Sequence, residues 1–180
     1  METTAQLMGE LGAKQWAEAE FGDAELGHGA RTRRIVKMSS TMVVRPRGTI
    51  TEMFAKGAAR NGAYRALENE SITAKPLIEA ATRAAVRRTQ GHKLVYIPVD
   101  GTSLNFGYSS AADLGDIGTK RSRSKGVHVQ NSIIVGENGH TPGVAHQVYW
   151  RRKRREKQLT VTQRRKLDIK DKESRHWLEC

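Results

Sequence analysis

Asp100 is the acid best placed to do chemistry. It closes the apolar run Leu94-Val95-Tyr96-Ile97-Pro98-Val99 and is followed by Gly101. An acid at the end of a strand is held rigidly and still meets solvent. A metal-dependent nuclease needs its oxygens in such a place, because Mg²⁺ takes carboxylate oxygen and keeps waters for a phosphate. Taken alone, Asp-Gly after a strand reads more simply as a tight turn. Asp113 and Asp116 stand in a glycine-flanked loop, where capping is the commoner role. His128, His140 and His146 lack zinc-ligand spacing. Trp16, Trp150 and Trp177 read as core anchors, with base stacking the rarer use. Walker, nucleophile-elbow and Rossmann patterns are absent.

The cations carry a second kind of chemistry. There are 31 Lys and Arg against 19 Asp and Glu, a net charge of +12. Arg31, Arg33, Arg34, Lys37, Arg45 and Arg47 form an acid-free cluster. Lys120, Arg121, Arg123 and Lys125 form another, and the stretch 151–175 a third. Such clusters suit a polyanion, gaining affinity by releasing condensed counterions. For 151–157 a solvated tail weighs as much. For 31–38 the DNA reading is stronger, since Ile35, Val36 and Met38 interleave with the arginines, giving a helix with one buried and one cationic face. The lone Cys180 excludes an intrachain disulfide framework or a cysteine zinc site and points to a reducing compartment. The opening Met1-Glu2-Thr3-Thr4 carries no secretory pattern, and no run is long enough for a membrane span.

These groups need elements to hold them. Periodicity predicts helices over 4–22, about 30–43, a shorter one within 51–67, and 73–89. Strands are expected at 94–99, 104–108, 127–136 and 141–150, with a turn at 100–101, a loop at 114–118, a hairpin turn at 137–140 and a helix near 171–178. The fold class is therefore α+β: a helical domain over 1–90, then an antiparallel β region over 91–180.

Several fragments occur in order: Leu26-Gly27-x-x-x-Arg31-Thr32-x-Arg34, Gly62-Ala63-Tyr64-Arg65, Val99-Asp100-Gly101-Thr102-Ser103-Leu104, Leu114-Gly115-x-Ile117-Gly118, His146-Gln147-x-x-Trp150 and Glu173-Ser174-x-x-Trp177-Leu178. Together they resemble the N-terminal part of bacterial cut-and-paste DDE transposases of the IS-four/Tn-five type, from about residue 15 onward. The resemblance implies a helical domain that grips double-stranded DNA at inverted-repeat ends, then the start of a ribonuclease-H-like catalytic domain. It implies Asp100 as the first of three acids that hold Mg²⁺ or Mn²⁺, and Arg34, Arg65 and the basic stretch to Arg45 as end-DNA contacts. It also implies a homodimer or a mixed assembly with full-length transposase, at the nucleoid of the bacterial cytoplasm, with no membrane association.

The sequence departs from the family pattern in several places. The usual threonine after the first acid is Gly101, and the usual histidine of the second strand is Gln130. The second Asp and the Glu are not matched within these 180 residues. Loss of strand cleavage with retained DNA binding is therefore expected, together with an open edge on strand 94–99 that Pro98 partly blunts. A general basic nucleic-acid binder, a transposition-inhibiting fragment and a small self-sufficient nuclease are the rival expectations.

Overall fold

The computed structural model describes residues 4–107, 114–117, 124–152 and 159–180. The chain falls into two units, Met1–Gly91 and His92–Cys180.

The first unit is helical: α1 (Thr4–Phe21), α2 (Gly29–Val44), α3 (Ile50–Met53), α4 (Gly57–Leu67) and α5 (Ala74–Arg88). On α1, Ala13, Ala17 and Glu20 recur at helical spacing and are buried. On α5, Ala80, Ala84 and Ala85 are buried. Small side chains on these faces allow close approach, and α1 packs on both α2 and α5. Pro76 sits in the first turn of α5, where a missing N–H costs nothing. One core cluster joins Met38, Phe54, Ala63 and Ala66, and another joins Ala24, Leu26 and Ala80. Ile35 and Ile72 pack against both.

The helix expected within 51–67 is two. The chain turns at Phe54 (φ −111°, ψ 71°). The turn buries its ring to 5% exposure. Core demand overrides helix continuation there.

Charge locks α1 to α5. Asp23 accepts from Arg83 Nε at 3.2 Å and from Arg87 Nη1 at 3.1 Å. The hydrogen bond from Arg83 is the main reason its carboxyl lies below the usual range. A depressed carboxyl stabilises the fold above the unfolded pKa and loses that contribution as pH falls through the folded one. The helical unit is therefore expected to weaken below about pH 4, less so in Asp23→Asn, as acid titration of helical circular dichroism will read.

The second unit is a sheet centred on β4 (Lys125–Gly136), with β1 (Val95–Tyr96), β2 (Val99–Asn105), β3 (Gly115–Asp116) and β5 (Gly143–Trp150) all antiparallel to it. Residues 128–132 of β4 pair with both β2 and β5, so β4 is the central strand. β1 and β2 share one register on β4: Tyr96 faces Val135 and Val99 faces Ser132. They are one strand interrupted at Ile97-Pro98. The helix α6 (Val161–Lys166), a 3₁₀ turn (Ile169–Asp171) and α7 (Arg175–Glu179) follow.

Four expectations are corrected here. Asp100-Gly101 is not a turn: it lies in β2, opposite Asn131 and Gln130. Of the separate strand expected at 104–108, Leu104 and Asn105 are the far end of that same β2, and Tyr108 lies outside the described residues. Gly115-Asp116, expected as loop, pairs with Gly126 and Lys125. The helix near 171–178 is the 3₁₀ turn plus the short α7.

Pro98 also acts differently from the sequence expectation. Its carbonyl accepts from Ile133 N at 3.2 Å, so its backbone polar groups face β4. The missing N–H removes a rung on the β4 side and splits β1 from β2. Residues 99, 101, 103 and 105 direct their backbone groups to the other side, where no described strand pairs with them. Pro98 therefore does not blunt that edge.

Candidate nucleic-acid interface

α2 is built to carry cations outward. It starts after Gly27, whose φ of +73° disfavours a side chain. His28 Nδ1 caps it by accepting from Ala30 N at 3.1 Å. Two α2 side chains tie it to the preceding turn: Arg31 Nη1 donates to Leu26 O at 2.8 Å, and Thr32 Oγ1 donates to Ala24 O at 2.9 Å. Val36 and Met38 are buried. The i, i+4 pair Arg33 and Lys37 is exposed on one face.

The predicted cations divide by what they touch. The side chains of Arg33, Lys37 and Arg65 are exposed and make no hydrogen bond or ion pair to any described residue. Arg31 is partly spent on Leu26, and Arg45 Nη1 donates to Met53 O at 3.2 Å, lacing the end of α2 to α3. Arg34 lies across Gly62 of α4, with its Cζ 2.7 Å from where a Cβ would stand. Glycine there lets the guanidinium cross, and Arg65 lies one turn further along α4. Lys120, Arg121 and Arg123 fall outside the described residues. Sequence reasoning missed Lys56, the exposed N-cap of α4. It stands alone between Ala55 and Gly57, so no charge cluster marks it.

Asp100 is exposed on the edge strand β2. The neighbours in its cross-strand row are amides: Asn131 lies opposite, and Asn131 Oδ1 accepts from Gln147 Nε2 at 2.7 Å. Asp116 is taken by an ion pair with Lys125. Among the described residues no three His, Cys, Asp or Glu side chains gather as a metal site. One carboxylate with amide neighbours does not fit the donor set of a paired-metal centre.

The opposite face of the sheet is aromatic. His128 and Trp150 stack at 4.3 Å between centroids, and Trp150 and His176 at 4.5 Å. Ser103 Oγ lies 3.0 Å from His128 Nδ1. Trp150 is half-buried between the two imidazoles, while Trp16 and Trp177, expected as core anchors, are exposed. The two departures from the family pattern meet on this face: Gly101 and Gln130 are direct partners, and a Cβ at 101 would stand 3.1 Å from the Gln130 amide nitrogen.

Burial lowers the pKa of His128, with nearby Arg152 and His176 adding to it and Glu173 opposing. The unfolded state then binds the proton more readily, so protonation disfavours the fold. The β unit is expected to lose stability as pH falls below about 6.5, the ordinary histidine value, down to the lowered folded value. His128→Gln flattens that slope, as urea midpoints measured across this range will show.

A cationic helix face in a small helical unit suits a nucleic acid. The comparison narrows this reading. The family model described as "Transposase DNA-binding" matches residues 13–72, from within α1 past α4. The N-terminal unit carries a transposase DNA-binding domain, which implies a role in DNA binding or transposition. No described helix is long and apolar enough to cross a membrane.

Proposed function

We propose that this chain is the end-binding portion of a bacterial cut-and-paste DDE transposase of the IS-four/Tn-five type. The helical unit grips inverted-repeat duplex DNA, and the β unit begins a ribonuclease-H-like domain in which Asp100 is the first acid. The observation that carries this reading is the match over 13–72, which encloses Arg33, Lys37 and Arg65. On this reading the 180-residue chain binds DNA and does not cut it, because among the described residues Asp100 belongs to no group of three or more His, Cys, Asp or Glu side chains that could hold a metal. Mg²⁺ or Mn²⁺ would belong to a fuller acid set.

Fluorescence anisotropy with the element's own terminal repeat, against a scrambled duplex of equal length, tests it. The repeat is expected to bind more tightly. Arg65→Ala removes about 5- to 100-fold of that preference if the side chain reads a base, and Arg34→Ala weakens it by loosening α2 on α4. Equal binding of the two duplexes would favour a general basic binder. Metal-dependent nicking of supercoiled DNA that Asp100→Ala abolishes would overturn the assignment of a binding-only chain.

A further inference from the structure

We propose that a cleft on the aromatic face of the sheet holds an unpaired nucleobase of single-stranded DNA. This goes beyond duplex gripping by the helical unit and rests on the reading of the chain as a DNA-binding protein.

The cleft has a volume of about 310 Å³, and Gly101, Ser103, Gln130, Trp150, Arg152 and Trp177 are among its lining residues. Gly101 places no side chain over its floor. Gln130 is 4% exposed, yet its Nε2 has no hydrogen-bond partner among the described residues. His128 Nε2 and Trp150 Nε1, on two other lining residues, are also buried without a partner among the described residues. A buried amide or indole N–H left unpaired costs free energy, so the Gln130 and Trp150 donors in one cleft call for an occupant that supplies acceptors, while His128 Nε2 donates or accepts according to which ring nitrogen carries the proton.

Charge narrows the occupant. Arg152 is the cation of the cleft, and Glu173 chelates its guanidinium at 2.8 and 3.0 Å. The pair cancels, so among the described lining residues the site offers neutral donors and no surplus positive charge. A phosphate would go unbalanced there. An uncharged ring with carbonyl or ring-nitrogen acceptors fits, and the half-exposed Trp177 supplies a flat wall for it. Bases within a duplex have their faces stacked and their edges paired, so the base must come from a single strand.

The test uses the full 180-residue chain with labelled oligo-dT and an abasic deoxyribose-phosphate strand of the same length. Oligo-dT is expected to bind more tightly than the abasic strand. Gln130→Leu and Trp177→Ala are each expected to weaken oligo-dT binding by about 5- to 100-fold and to leave duplex affinity within about twofold. If Gln130→Leu fails to fold, Trp177→Ala, at an exposed position, still decides the matter. Equal binding of oligo-dT and the abasic strand overturns the inference. So does unchanged oligo-dT binding by Trp177→Ala, the result expected if a protein segment occupies the cleft. Duplex binding without any advantage from bases would sink this inference alone, whereas no binding to any DNA would sink the DNA reading itself.

Discussion

Gly126→Ala is expected to lower the stability of the β unit by more than about 3 kcal/mol, with the helical unit unaffected. Gly126 is buried where β4 meets two strands, facing Asn105 of β2 and Gly115 of β3. A Cβ there would strike the Leu104 carbonyl oxygen, with the Leu104 carbonyl carbon at 3.1 Å and Ile117 Cδ1 at 2.9 Å. Ile117 can rotate away. The Leu104 carbonyl belongs to the strand and moves only if the ladder does. Urea unfolding followed by tryptophan fluorescence will read the loss. Gly12→Ala serves as the opposite control: nothing lies within 4 Å of its added methyl on α1, and helix propensity predicts a gain of up to about 1 kcal/mol.

Arg88→Ala is expected to cost the helical unit about 2–3 kcal/mol, toward the low end for breaking a buried ion pair. Arg88 pairs with Glu20, whose side chain is 9% exposed against 30% for the arginine. Removing the guanidinium leaves a buried carboxylate on α1 with its ion-pair partner gone. The double substitution Glu20→Leu with Arg88→Met is expected to recover most of the loss, because it removes both charges and keeps apolar volume. Thermal melts of the two variants check this, and a double variant as weak as Arg88→Ala would mean that the pair acts through packing instead.

The helices were legible because their signals are local. The buried face of α2 follows from Ile35, Val36 and Met38, and its stop from Arg45-Pro46. β4 and β5 were legible from β-branched runs around Glu137-Asn138-Gly139. The break at Phe54 was not, because it depends on where a single ring finds a core. Asp100-Gly101 was misread as a turn for a similar reason. The dipeptide has turn propensity, but seven consecutive pairings with β4 hold it extended. Cation roles were the least legible. Arg31, Arg33 and Arg34 look alike in the sequence, yet one bonds a carbonyl, one is free in solvent and one crosses a glycine. Gly101 and Gln130 sit far apart in the sequence, and only the strand register shows that they touch.

The salt dependence of duplex affinity is the most direct measurement of the central claim that α2 presents DNA-binding cations. For the full chain the logarithm of the binding constant should fall linearly with the logarithm of salt concentration, with a slope of several units. The double variant Arg33→Ala with Lys37→Ala should bind more weakly at every salt concentration and lower the slope by about two. Wild-type binding that ignores salt, or a double variant indistinguishable from wild type, would contradict the account.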